Sequence, residues 1–361
     1  MMATTARRAD RWAGVVSFLD SPWAAPAVVL VVLATGAALL AAWYGVSAVS
    51  AFWFGSIGSW YGFTSGTLVR AVPLILTGLG VAIAFRAGVF NIGADGQLLA
   101  GATAAAYVGL EWSAALGHAS LPAALILGTA AGALWAGVAA LLRARFGVLE
   151  VISTLMLNFV ATDLVAFLVR GPLQEPLHIY PQSATLPSVA RLPTFGPTTQ
   201  LHWGLALALV LAGAVWWFLA RTAAGFRLRI VGANPFAAAV TGRVRVTRVA
   251  AWAFLASGAL AGLAGAIEIT AVTYALYDNL SPGYGFTAIA VAVLAGLNPV
   301  GVVFAGVLFA ALETGATAMQ RDAGVPSVWA SVVEAALILI LVAGASIRAR
   351  AGNRHLRDAA S

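Results

Sequence analysis

Long apolar runs recur from Ala24 almost to the C-terminus, separated by short polar or arginine-bearing gaps. A helix that crosses a bilayer needs about 20 mainly apolar residues. Ten stretches approach or meet that length: 24–43, 67–85, 94–110, 121–142, 149–169, 202–220, 249–274, 285–297, 302–319 and 329–347. The eighth is too short to cross unaided. The pattern predicts an all-α polytopic membrane protein of about ten transmembrane helices: an N-terminal segment 1–23, a membrane domain 24–347 and a tail 348–361. Two connections are long. Residues 170–201 are rich in proline and polar side chains, and residues 221–248 carry six arginines.

Charge orients this array. With the N-terminus inside and the stretches alternating, sixteen arginines fall on the inner side, and only Arg70, Arg170, Arg191 and Arg321 fall outside. That asymmetry is what the positive-inside rule expects, and it puts both termini, and loop 221–248, in the cytoplasm of a bacterial inner membrane. Trp43, Trp112, Trp203 and Trp329 stand at stretch ends, where aromatic belts sit. The first apolar run is too long for a signal-peptide core, so it reads as an uncleaved first span.

Composition agrees and then excludes. Of 361 residues 61% are apolar and 9% charged, against roughly 25% charged in a soluble domain. The chain has no cysteine, which removes disulfides, thiolate metal sites and cysteine nucleophiles. All twenty basic residues are arginine, so the chain lacks the lysine a P-loop needs. If ATP drives this protein, another chain binds it. His118, His178, His202 and His355 are scattered and form no HExxH-like pair. The sequence calls for no catalytic residue, no metal and no cofactor, and the net charge of +7 reads as membrane topology and not nucleic-acid binding.

Residues 85–101, "FRAGVFNIGADGQLLAG", are an anomaly among the apolar runs. Arg86, Asn91, Asp95 and Gln97 stand there among glycines. One reading is a cytoplasmic turn, with Asp95 favouring a helix dipole. The other is a broken helix entering the membrane, tolerated only where it is buried or lines a cavity. Elsewhere Asp163, Glu268, Glu313 and Glu334 lie within stretches, Glu150 at an inner edge, and Asn158 eight residues beyond it near the same helical face. Structural hydrogen bonding between helices competes with a role in solute passage. For a neutral polar solute the candidates are Asn91, Gln97, Asn158 and Glu268. In loop 221–248, "VGANPFAAAVTG" sets a turn before a short Ala-rich helix, with Asn234 placed to cap it and Pro235 at its first position. A basic loop held to anionic lipid and a docking element for a cytoplasmic partner both fit.

"FRAGVFNIGADGQLLAGA", "EVISTLMLNFVA", "VGANPFAAAVTG" and "GLNPVGVVFAGVLFAALETGA" together resemble the permease subunits of bacterial ABC importers of the nucleoside and simple-sugar type, within the branched-chain amino acid and ribose permease superfamily. The resemblance runs from about Ser65 to Ile347. It implies an ABC importer permease that passes a nucleoside, or a simple sugar, and does no covalent chemistry. The implied partners are a second related permease, a cytoplasmic ABC ATPase and an extracytoplasmic solute-binding lipoprotein, in addition to membrane lipid. It also implies that Gly232, Asn234 and Pro235 begin the coupling helix, with Phe236 and Ala238 on it. A proton-coupled secondary transporter is the rival reading.

Overall fold

The computed structural model describes residues 24–240, 244–340 and 343. The N-terminal segment 1–23, Arg243, the tail 348–361 and most of 341–347 lie outside the described residues. Among the described residues the fold is all-α, with only two isolated β-bridges. The helices are α1 (Ala24–Tyr44), α2 (Val46–Trp53), α3 (Leu68–Arg86), α4 (Ala94–Tyr107), α5 (Ser113–Leu116), α6 (Ser120–Phe146) and α7 (Glu150–Val169). They continue as α8 (Gly204–Arg221), α9 (Ala223–Ala233), α10 (Pro235–Val240), α11 (Val246–Glu268), α12 (Tyr284–Leu294), α13 (Pro299–Ala323) and α14 (Val328–Ile340).

Among the described residues, seven helical runs are long and apolar enough to cross a membrane. One of them, Ala94–Phe146, is 53 residues long. At about 1.5 Å per residue it would far outreach a hydrocarbon core of about 30 Å. It is not straight: a π-helical turn at Val108–Trp112 and a positive φ at Gly117 fold it back into α4 and α6. The stretch 285–297 appears as the shorter helix α12, and the described part of 329–347 lies on α14. Over the described residues, each of the ten apolar stretches therefore falls at least in part on a helix. The apolar helix Val46–Gly58 is additional and was not anticipated.

The described residues divide into two compact units, Trp60–Ala311 and a smaller one formed by 24–59 with 312–340. In the smaller unit the rings of Trp43 and Tyr44 stand nearly perpendicular to that of Trp329, with ring centres 5.8 and 6.0 Å away, and Phe52 lies against Gly315. In the larger unit α3 is buried along almost its whole length, as expected of a helix that is apolar on every face. Against it packs α11, which also faces α4 and α6. Contact between α6 and α11 is backbone to backbone: Gly128 and Gly132 face Gly258 and Gly262, two G-x-x-x-G pairs. Small residues allow that approach, and close packing must hold membrane helices together because lipid is as apolar as leucine. On α8 the buried stripe is Gly204, Ala208, Ala212, Val215 and Leu219, while Val210, Trp216 and Trp217 are exposed.

Loop 170–201 is an ordered cap. Its backbone pairs with the segment after α11: Ser183 N–H donates to Leu276 O at 2.7 Å, Leu186 N–H to Tyr274 O at 2.7 Å and Leu192 N–H to Thr270 O at 2.8 Å. Arg170 pairs with Asp278, and the Arg191 guanidinium lies 4.6 Å from the Tyr274 ring centre. His202 ends the loop fully buried. Its Nδ1 accepts from Gly204 N–H at 3.2 Å, leaving Nε2 buried without a protein partner. Burial pushes this imidazole down from 6.5 to about 4. The folded state therefore binds fewer protons than the unfolded one between those values, and the loop loses stability as pH falls from about 6.5 toward 4. The loss levels off below that, at roughly 3 kcal/mol. Hydrogen exchange of residues 183–202, corrected for intrinsic rate, should show opening as pH falls through this window. His202→Phe should flatten the response.

Candidate translocation site

The anomalous segment 85–101 lies in the larger unit, between α3 and α4. Arg86 ends α3, and Gly88 (φ 71°) closes it: Val89 N–H donates to Ala84 O and Gly88 N–H to Phe85 O, both at 3.0 Å. This is the helix stop that a left-handed glycine permits. The chain then runs without regular structure to Ala94, where α4 begins.

Asn91 organises the run. Its Oδ1 accepts from Gly93 N–H (3.0 Å) and Gln97 Nε2 (2.9 Å), and its Nδ2 donates to Gln97 Oε1 and Ser257 Oγ (both 2.9 Å). From α7, Asn158 Nδ2 donates to Ile92 O at 2.9 Å, and its Oδ1 accepts from Gly96 N–H at 2.8 Å. Thr154 Oγ1 accepts from Ile92 N–H at 3.3 Å. The first turn of a helix has amides with no partner inside the helix. Here neighbouring helices supply acceptors, which lets the start of α4 be buried.

That start lies deep. Gly93 packs on Thr154, and Gly96 on Leu157 and Asn158, four to eight residues in from the head of α7 at Glu150. This is about 6–12 Å along that helix. Gly285, at the head of α12, packs on Asp95, while the other end of α12 comes back to Arg86, whose Nε donates to Leu297 O at 2.8 Å. The span of α12 puts Asp95 about 15 Å from that level. Within segment 88–93, Val89, Asn91 and Gly93 are buried, whereas Gly88 and Phe90 are exposed. The inner part, 91–93, is irregular backbone whose polar groups are met by neighbouring side chains, the condition under which such backbone is tolerated inside a membrane protein.

Two helix N-termini, those of α4 and α12, meet at Asp95. The carboxylate Oδ1 accepts from Ser281 Oγ at 2.7 Å and from Gly285 N–H at 2.9 Å. A negative charge at paired helix N-termini is favourable. Ser281 also accepts from Gly283 and Tyr284 N–H, at 3.2 and 3.1 Å, and so seats the start of α12. Asp95 thus links two half-length helices that pattern reading left unconnected. The sequence signal was the Ser-Pro-Gly-Tyr-Gly run at 281–285, directly before a stretch too short to cross.

Of the four candidates for solute contact, Asn91, Gln97 and Asn158 converge in one hydrogen-bonded node. Glu268 does not join them. It is buried eleven residues beyond Ser257 on α11, about 16 Å along the helix. There its charge, second to burial, pushes the Tyr277 phenol in the following loop above its ordinary value. Asp95→Ala, which strips acceptors from Ser281 and Gly285, should insert normally yet cut solute uptake by about tenfold, the cost of orphaning buried donors to a charged group. Asp95→Asn, which keeps one acceptor, should fall between. Uptake in vesicles at equal membrane abundance measures both.

In loop 221–248, α9 and α10 form a broken pair. Asn234 Oδ1 caps α10 by accepting from Ala237 N–H at 3.0 Å, and Pro235 is its first residue. Gly232 does not open this helix. It lies near the end of α9, where the Arg86 and Gly88 backbone packs against it so closely that no side chain fits. Ala238 is 0% exposed, whereas Phe236 and Val240 are 83% and 88% exposed. The outward face of α10 is the Phe236–Val240 face.

An all-helical multi-pass membrane protein, with half-length helices meeting at buried polar backbone, is built as a solute permease. The family model described as the permease component of branched-chain amino acid transport systems matches residues 63–342, and the chain belongs to that family. A glucose ABC transporter permease protein of Haloferax volcanii is 40% identical over 87% of this chain and 85% of its own length. A guanosine ABC transporter permease protein of Bacillus subtilis is 39% identical over 89% and 93%. A nucleoside ABC transporter permease protein of Lactococcus lactis subsp. cremoris is 32% identical over 76% and 78%. No solved structure matches. The chain is a transmembrane permease subunit of an ABC transporter, and it is not an enzyme.

Proposed function

We propose that this chain forms the solute pathway of an ABC importer for nucleosides, in the cytoplasmic membrane of a bacterium. The observation that carries the solute is the 39% identity to a guanosine permease across 93% of that protein's length. ATP is bound and hydrolysed by a separate cytoplasmic subunit, a second related permease completes the transmembrane pair, and an extracytoplasmic lipoprotein delivers the solute. Domain 24–347 crosses ten times, with 1–23 and 348–361 cytoplasmic, loop 170–201 outside and loop 221–248 inside.

In this reading Asn91, Gln97 and Asn158 set the position of the irregular segment beside the pathway, and Asp95 ties it to α12. Glu268 marks the opposite end of α11. Residues Asn234, Pro235 and Phe236 belong to the ATPase-coupling helix, with Gly232 and Ala238 as its internal supports. Uptake of labelled guanosine by cells carrying the full transporter tests the solute, with glucose as the competing substrate. The 40% identity to a glucose permease favours a sugar as the second reading. Accumulation of glucose and not of nucleoside would replace the first reading by the second.

The cysteine-free chain also permits a topology test. Ser188 and Ala237 are both exposed. A cysteine at Ser188 should react with an impermeant thiol reagent in intact cells, and one at Ala237 only after permeabilisation. Labelling of Ala237 from outside would overturn the orientation.

A further inference from the structure

Between α3, α8, α9 and α11 of the larger unit lies an open pocket of about 870 Å3. It is lopsided in chemistry. One end carries Arg227 from α9, with Arg245 and Arg248 at the head of α11. The remaining wall is apolar and includes Ala214, Phe218, Trp252 and Ala256. All three arginines are exposed, and among the described residues no carboxylate lies within ion-pair distance of them. Ala256 stands eleven residues beyond Arg245 and Ala214 seven before Arg221. The apolar wall therefore reaches about 10–16 Å away from the arginine end, into the depth of the spans.

We infer that this pocket is a binding site for an anionic phospholipid, the headgroup phosphate held by Arg227, Arg245 and Arg248 and the start of an acyl chain laid along Phe218 and Trp252. Three clustered cations with no acidic partner among the described residues favour a negative ligand, and guanidinium forks match phosphate oxygens in pairs. A soluble anion would leave the apolar wall wet. A purely apolar occupant would make no use of the three guanidinium groups. An amphiphile with an anionic head answers both, and basic pockets between membrane helices at the cytoplasmic side are suited to such headgroups. None of the pocket's residues belongs to the Asn91 node, so the site is separate from the proposed pathway. Its position has a mechanical consequence. Arg227 and Arg245 lie on the helices either side of α10, so a lipid held by both tethers the two supports of that helix.

Native mass spectrometry of the purified protein tests the site. The chain is equilibrated in nanodiscs of phosphatidylglycerol mixed with phosphatidylcholine and then released. One phosphatidylglycerol should remain bound in preference to phosphatidylcholine. The triple change Arg227→Gln, Arg245→Gln and Arg248→Gln should remove it, each arginine contributing about fivefold. Ala214→Trp, which narrows the apolar wall and leaves the charges, should weaken it as well. Arg145→Gln, an exposed arginine outside the pocket, should not. Equal retention of the two lipids by the unaltered protein would overturn the assignment without appeal to any variant. Displacement by millimolar inorganic phosphate, with no effect from Ala214→Trp, would show an anion site with no lipid specificity and would overturn it too.

Discussion

Gly262→Leu is expected to yield a chain that reaches the membrane but does not assemble its helical core. A Cβ added at Gly262 would lie 2.8 Å from the Gly132 Cα and closer still to the Gly128 carbonyl oxygen. Real Cβ atoms do not approach backbone so closely, and backbone has no rotamer by which to give way. Leucine places three further carbons beyond that point. To hold them, α6 and α11 must separate along the paired glycines, which also parts α11 from α4, since Gly101 packs on Gly262. No hydrophobic force offsets the separation, because lipid solvates the freed faces as well as the partner helix did. Overpacking in a dense interior commonly costs 1–3 kcal/mol where side chains can shift. Here the obstacle is backbone, so the expected outcome is loss of the folded state. Detergent-solubilised Gly262→Leu should aggregate in size exclusion and lose protease resistance. Gly262→Ala should retain part of both, and Val210→Ala, on an exposed face of α8, should behave as the parent. A monodisperse, protease-resistant Gly262→Leu protein would show that this contact does not hold the core.

That contact also marks the limit of pattern reading in a membrane protein. Helix positions were legible because apolar length is set by bilayer thickness, and over the described residues all ten stretches fell at least in part on helices. Which face of each helix turns inward was not legible from hydropathy. In lipid both faces are apolar, so the inner stripe is distinguished by size: Ala124, Gly128, Gly132, Ala136 and Ala139 are buried on α6, while Ile126, Leu134 and Leu141 are exposed. The two G-x-x-x-G pairs were readable on that criterion. The polar cluster at 86–97 announced itself by composition, and Asn91, Gln97 and Asn158, three of the four candidates for solute contact, fall in one hydrogen-bonded region. Its depth was hidden, because the acceptors that bury it come from Thr154, Asn158 and Ser257, distant in sequence. The cap at Asn234 and Pro235 was local chemistry and was read directly. The burial of Ala238 depends on tertiary packing, which no local rule reports.

The burial of Ala238 directs the test of α10 to its exposed side chains. If this helix couples the permease to an ATPase, the groove that receives it meets Phe236 and Val240, which lie one turn apart and are 83% and 88% exposed. Two large apolar side chains so exposed, on a six-residue helix, are unfavourable facing water and well suited to anchoring in a partner. Phe236→Asp and Val240→Asp should each insert and fold normally, because neither side chain contributes to the chain's own core. Each should lose solute-stimulated ATP hydrolysis by roughly 30-fold or more, the effect of burying a charge where an apolar anchor sat. Asn234→Ala, which removes only the cap, should cost about 1 kcal/mol of helix stability and have a milder effect. Ala238→Glu should disturb packing within the chain itself and so lower protein stability, a result separable from uncoupling by its effect on thermal aggregation. A loop held to the membrane by its arginines alone predicts a different order. The two aspartates would then matter little, and neutralising Arg227 and Arg229 would matter most. Full coupled hydrolysis and uptake in both Phe236→Asp and Val240→Asp would exclude α10 as the docking element and place the contact with the ATPase elsewhere on the cytoplasmic face.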